Sequence, residues 1–161
     1  MIRLSKESDK QQIQQLIETC FGDRLNKKYL DNLDGRYYVI ELDNKIVAMT
    51  GLCNNTKFKD GVEIDWTCTH PDFRNRGLMH KLFTKIINLT NKNIYCSCWK
   101  LPEKDYVELG SLMKSFSFNC ISEAYITCDL SKCKFNNKKG CANYRPNCKC
   151  QEDLYLRNAI I

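Results

Sequence analysis

Proline and glycine are scarce, with 3 and 7 in 161 residues. Nothing in the chain reads as a Pro/Gly linker, a collagen repeat or a low-complexity segment. Histidine is scarcer still. His70 and His80 are the only two; they straddle a glycine turn, and neither is expected to ligate a metal. No apolar run approaches the roughly 20 residues of a membrane span. The opening MIRLSKESDKQQ is polar and lacks the apolar stretch of a secretion signal. The expectation is a soluble, cytoplasmic protein with no membrane partner, monomeric or homodimeric. Apolar residues make 43% and charged residues 27%, a globular balance that excludes disorder and coiled coil. The length predicts one domain over 1–161, with enough chain to bury a core without disulfide staples.

Cysteine is abundant instead. There are 11, an odd number, so a complete internal disulfide set is excluded. In a cytoplasmic chain they point to free thiols or metal before disulfides. The charge is +6 but uneven. Residues 1–70 carry 10 basic and 11 acidic side chains, and 71–161 carry 15 and 8. Within 131–150 stand Lys132, Lys134, Lys138, Lys139, Arg145 and Lys149, with no acid. Such a segment is either a solvated loop or a docking surface for an anionic partner.

The apolar periods give the order of elements. Residues 1–5 read as a short strand. Ile13, Leu16, Ile17, Cys20 and Phe21 form one helical stripe that Gly22 stops. A short helix is expected over 26–33. YYVIEL and KIVAMTGLC flank Asp43-Asn44, a two-residue hairpin signal. VEIDWTCT alternates with period 2 up to His70-Pro71. Leu78, Leu82, Phe83, Ile86 and Ile87 then share one face of a helix over about 76–90. NIYCSCW is a strand, 103–115 a weaker helix, FNCISEAYITCDL a strand, and EDLYLRNAI the last strand. The order β-α-α-β-β-β-α-β-α-β-β predicts an α/β (α+β) fold, a central mixed sheet with helices on both faces.

The chemistry is concentrated in VEIDWTCTHPDFRNRGLMHKLF, residues 62–83. It is a strand, a tight basic turn with one glycine, and an amphipathic helix. A helix N-terminus offers unpaired N–H groups and the positive end of the dipole. Gly77 lets backbone approach a ligand, and Arg74 and Arg76 add charge. Together these suit phosphate, although a helix start with exposed arginines has the same local pattern.

Arg74-Asn75-Arg76-Gly77-Leu78-Met79 resembles the acyl-CoA loop of the GNAT family of N-acetyltransferases, Gln/Arg-x-x-Gly-x-Gly/Ala, and His-Pro-Asp-Phe resembles its usual lead-in. Arg74 and Gly77 match; Met79 replaces the small final residue. The order of elements is similar to that fold over nearly the whole chain. The resemblance implies a mostly antiparallel sheet, with 131–150 as a Cys-rich insertion between the last two strands. It implies acetyl-CoA as cosubstrate, with its pyrophosphate on the amides of Arg74, Asn75, Arg76, Gly77, Leu78 and Met79. The pantetheine arm would then lie along the strand at Cys68 and Thr69. The activity implied is acetyl transfer to a primary amine by direct attack.

Glu63 and Asp65 precede the loop and, by period 2, share a strand face opposite Ile64 and Trp66. An alkylammonium has a pKa near roughly 10, so a base must take its proton before attack. In histone-type members a Glu on this strand does so, often through water. Glu63, thirteen residues before Arg76, resembles it in placement. The alternative is that both acids are solvent-facing strand residues. Many members also carry a Tyr on the helix before the sixth strand as general acid. Matching SLMKSFSF to A-x-x-L-Y-x-x-x-G-F puts Met113 at that position, with Tyr106 nearby in sequence. A thiol of pKa about 8.5 can leave as thiolate without it.

Cys128, Cys133, Cys141, Cys148 and Cys150 lie within 23 residues. Four thiolates from Cys133, Cys141, Cys148 and Cys150 would hold a structural zinc and close the loop. The spacing C-x4-C-x7-C-x6-C-x-C lacks a C-x2-C pair, so free thiols and disulfides stay open. Cys20, Cys53, Cys68 and Cys120 sit in apolar patterns and are expected in the core; Cys96 and Cys98 share a strand face. Two readings compete with the enzyme. One is a nucleic-acid-binding protein acting through the basic segment, where Phe135 and Tyr144 are interleaved. The other is a coenzyme A-binding regulatory module without turnover.

Overall fold

The computed structural model describes residues 1–21, 36–54, 57–100, 106–127 and 150–159. Seven strands form one sheet: β1 (Ile2–Leu4), β2 (Arg36–Leu42), β3 (Lys45–Cys53), β4 (Gly61–Thr69), β5 (Asn93–Lys100), β6 (Asn119–Thr127) and β7 (Gln151–Arg157). Their spatial order is β1-β2-β3-β4-β5-β7-β6. The β4–β5 pair is parallel and the other five are antiparallel. Three helices are described: α1 (Lys10–Phe21), α2 (Leu78–Ile87) and α3 (Gly110–Ser115). A parallel pair needs a crossover, and α2 supplies it between β4 and β5.

The stripe of α1 buries Ile13, Leu16 and Ile17 against Val39, Ile46, Met49 and Cys68. On the other face, Phe83 and Ile86 of α2 pack with Val62, Ile64, Ile94, Cys96 and Met113. Leu78 and Leu82 cover Ile40, Val47 and Ala48. Asp43 and Asn44 have φ of 48° and 61°, the left-handed pair of a two-residue hairpin. The helix expected over 103–115 is shorter, Gly110–Ser115. The helix expected over 26–33 and the expected stop of α1 at Gly22 lie outside the described residues, as do 128–149.

β4 departs from simple alternation. Gly51 faces Asp65, but Met49 faces Cys68. Trp66 and Thr67 therefore both stand opposite Thr50, and Trp66 takes φ +49°. This bulge moves later side chains to the other face. Ile64 packs with α2, whereas Trp66 packs on the α1 cluster, edge-on to Phe21 at 6.1 Å between ring centroids. The expectation that Ile64 and Trp66 share a face is thus corrected, because pairing with β3 overrides the local period.

Gly61 opens β4 beside Asn93. A Cβ there would lie 2.6 Å from the Asn93 carbonyl oxygen and 2.7 Å from the Tyr95 ring. The carbonyl belongs to the parallel ladder and cannot yield. Gly61→Ala is expected to lower unfolding stability by about 1–3 kcal/mol, read from urea titration of variant and parent.

Candidate functional site

The loop from β4 to α2 is held by its own backbone. The Phe73 N–H donates to His70 O at 2.9 Å and the Arg74 N–H to Pro71 O at 3.2 Å. The Asp72 N–H donates to His70 Nδ1 at 3.3 Å. Asn75 and Gly77 are both left-handed, with φ of 59° and 68°. Gly77 caps α2 without a side chain, so the first N–H groups of the helix point out of the loop with no intrahelical acceptor. A Cβ on Gly77 would meet nothing within 4 Å. Glycine is required there for conformation, and the space in front of the loop is open.

The two arginines part company. Arg74 Nε donates to Thr69 O at 3.2 Å, on the side of β4. Arg76 turns back: its guanidinium donates to Asp72 O at 3.0 Å and lies 5.0 Å over the Phe73 ring. Arg76 braces the loop, whereas Arg74 faces the cleft.

β4 and β5 run together only from Gly61↔Asn93 to Ile64↔Cys96. Beyond that point β5 continues its ladder with β7, from Ser97↔Leu154 to Lys100↔Gln151, and β4 continues with β3. The strands have parted at the bulge. A cleft of about 700 Å³ lies at this end of the molecule, bounded by Cys68, Thr69, Arg74, Asn75, Gly77, Leu78 and Met79. These are seven of the eight positions expected from the motif; Arg76 is the exception. Such a volume falls in the range of small-molecule and cofactor sites. Anion-binding amides at one end and a separated strand edge at the other suit an elongated ligand with a phosphate group.

The far wall was not foreseen. Trp99 of β5, with Glu108, Leu109 and Leu112 at the start of α3, closes the cleft, and Thr67, Cys20, Phe21, Phe73 and His80 complete it. Trp99 had a signal, since it shares the strand face of Tyr95 and Ser97, opposite Cys96 and Cys98.

Glu63 and Asp65 are half-buried on β4, one residue before and one residue past the last β4–β5 pair, Ile64↔Cys96. Val62 and Ile64 pack toward α2, so by alternation the two carboxylates share the α1 side. Ser97 Oγ donates to Glu63 Oε1 at 3.4 Å, and Asp65 Oδ1 accepts from the Trp66 N–H at 2.9 Å. Neither side chain bounds the cleft. Met113 is fully buried in the core and Tyr106 is exposed.

Of the cysteines expected in the core, Cys68 is buried, Cys20 and Cys53 are half-buried, and Cys120 is exposed. Cys120 is on β6, an edge strand of the sheet. Cys96 and Cys98 are buried, with sulfurs 3.6 Å apart. Of the proposed zinc ligands, Cys150 is buried just before β7; Cys133, Cys141 and Cys148 lie outside the described residues. Among the described residues, no group of three His, Cys, Asp or Glu side chains could hold a metal, and no helix is long and apolar enough to cross a membrane.

The family model described as "Acetyltransferase (GNAT) family" matches residues 7–105. No curated protein matches the chain in sequence. Among solved structures, the fold is similar to an aminoglycoside 6'-N-acetyltransferase complexed with coenzyme A, at TM-score 0.72 and 9% identity, covering 100% of this chain and 98% of that one. It is also similar to the ribosomal-protein-S18-alanine N-acetyltransferase from Escherichia coli, at 0.69 and 11%, covering 100% and 96%. An acyl-CoA N-acyltransferase from Pseudomonas aeruginosa aligns at 0.66 and 14%, covering 98% of each chain.

Proposed function

Because the chain belongs to the GNAT acetyltransferase family, we propose that it binds acetyl-CoA in the cleft between β4 and β5 and transfers the acetyl group to a primary amine by direct attack. The observation that carries this reading is the left-handed Asn75 and Gly77 at the uncapped start of α2, open to the cleft. The amides of residues 74–79 would hold the pyrophosphate, with Arg74 supplying charge. The edge of β4 freed at the bulge, through Cys68 and Thr69, would hold the pantetheine amides. Bound acetyl-CoA supplies a thioester as electrophile and a thiol of pKa about 8.5 as leaving group.

The proton balance falls to the chain. Glu63, oriented by the Ser97 hydroxyl, would take the proton of the incoming ammonium through water. Asp65 stands two residues nearer the cleft on the same face and is the second candidate. Met113 is sealed in the core, so the residue at the motif's tyrosine position gives no proton to the leaving sulfur. Departure as thiolate needs none.

Acetyl-CoA at about 100 times its dissociation constant should stabilise the fold by about 2.7 kcal/mol, seen as a rise in melting temperature. Chromatography should then show coenzyme A released with at least one member of an amine panel. No rise and no release would reject the reading. A rise without release from any amine would reduce it to binding without turnover.

A further inference from the structure

Two thiols that are distant in sequence meet in the wall of the cleft. Cys20 comes from the end of α1 and Cys68 from β4. The Cys20 thiol donates to Thr69 O at 3.3 Å, the same oxygen that accepts from Arg74 Nε at 3.2 Å. One carbonyl therefore gathers a thiol and a guanidinium. Cys20 is half-buried and reachable from the cleft; Cys68 is buried beside it.

The chemistry of the two sulfurs is divided. A hydrogen bond from the Cys68 thiol, aided by the nearby charge of Arg74, holds the Cys20 thiol below its ordinary value despite burial. The same contact and full burial push the Cys68 thiol well above its own. The accessible sulfur is the one held below its ordinary value, and the thiolate is the reactive form of a cysteine. Cys96 and Cys98 show the contrast. Their sulfurs are 3.6 Å apart, but both are sealed in the core, and Cys96 is pushed up by its neighbour and by burial.

We propose that Cys20 and Cys68 form a peroxide-reactive thiol pair that closes to a disulfide and lowers acyl-CoA affinity. The first half stands on the shared cleft wall and on Cys20 Sγ seated at the carbonyl of the residue after Cys68; the consequence rests on the acyl-CoA reading of the cleft. The Cys20 thiolate attacks one oxygen of hydrogen peroxide. A sulfur–oxygen bond forms, the oxygen–oxygen bond breaks, and the departing hydroxide takes a proton to become water. The Cys68 sulfur, losing its proton, then attacks the Cys20 sulfenic acid. The disulfide forms, the sulfur–oxygen bond breaks, and a second water leaves. Two thiols give up two electrons, and one peroxide accepts them. The new bond draws the Cys20 sulfur from Thr69 O and ties the end of α1 to β4 beside Arg74.

The test treats reduced protein with hydrogen peroxide, digests it without reductant, and measures coenzyme A affinity in parallel. The expected map shows the peptide of Cys20 joined to that of Cys68. Affinity should fall about tenfold, as for one displaced charge-assisted contact, and return with dithiothreitol. In Cys20→Ser, peroxide should leave affinity where it was in that variant. Cys20 overoxidised without a cross-link, Cys68 joined elsewhere, or the expected disulfide with unchanged affinity would each overturn the proposal. If reduced protein binds no coenzyme A, the reading of the cleft fails, and the peptide map still decides whether the pair exists.

Discussion

Glu63→Gln is expected to lower turnover at pH 7 by about 10²–10⁴-fold, the usual worth of a positioned general base, while coenzyme A affinity holds. Glu63 stands on the rigid paired part of β4, next to Tyr95 in the parallel ladder. Its Oε1 accepts from Ser97 Oγ, which fixes the carboxylate without covering it, since the residue stays half-buried. An amide of the same shape keeps that hydrogen bond but takes no proton. The deficit should shrink as pH rises toward the amine pKa near about 10, where the acceptor is already neutral. A pH–rate profile of variant and parent shows this directly. Equal activity at pH 7 would move the base to Asp65 or to an ordered water. A loss that stays constant across pH would mean that Glu63 positions rather than accepts a proton.

Gly77→Val is expected to weaken coenzyme A binding by about 1–3 kcal/mol, the scale of lost backbone hydrogen bonds to a charged group. The cause is conformational. Gly77 sits at φ +68°, where a branched side chain is strained by about 1–2 kcal/mol. The neighbouring protein leaves room, with no atom within 4 Å of the added Cβ. The variant should therefore fold, with the loop relaxed away from the geometry that aims the first amides of α2 at one point. Affinity should fall more than that strain removes from unfolding stability. Calorimetry showing unchanged affinity would sink the loop assignment.

The parts of this site that were legible in the sequence are those written in consecutive residues. The hairpin at Asp43-Asn44, the stripe of α1 and the strand–turn–helix of 62–83 each depend on local conformation or a single period. What stayed hidden depends on contacts between distant segments. The bulge at Trp66 exists because β3 pairs with one residue fewer than β4 offers, which no property of WTC announces. Cys20 lies on the apolar stripe of α1 and packs on the cluster beneath it, yet it also borders the cleft, where its sulfur meets Thr69 O. Cys120 alternates like a core residue, but β6 is an edge strand and leaves it exposed. The far wall of Trp99, Glu108 and Leu109 is assembled from two separate elements, and no spacing joins them.

The decisive measurement is a crystal structure of the chain grown with acetyl-CoA. The pyrophosphate oxygens are predicted to lie about 2.7–3.2 Å from backbone nitrogens within residues 74–79, with the pantetheine along Cys68 and Thr69 and the thioester directed toward the Glu63 and Asp65 side of β4. Acetyl-CoA held elsewhere, or a loop at 74–79 that makes no phosphate contact, would contradict it.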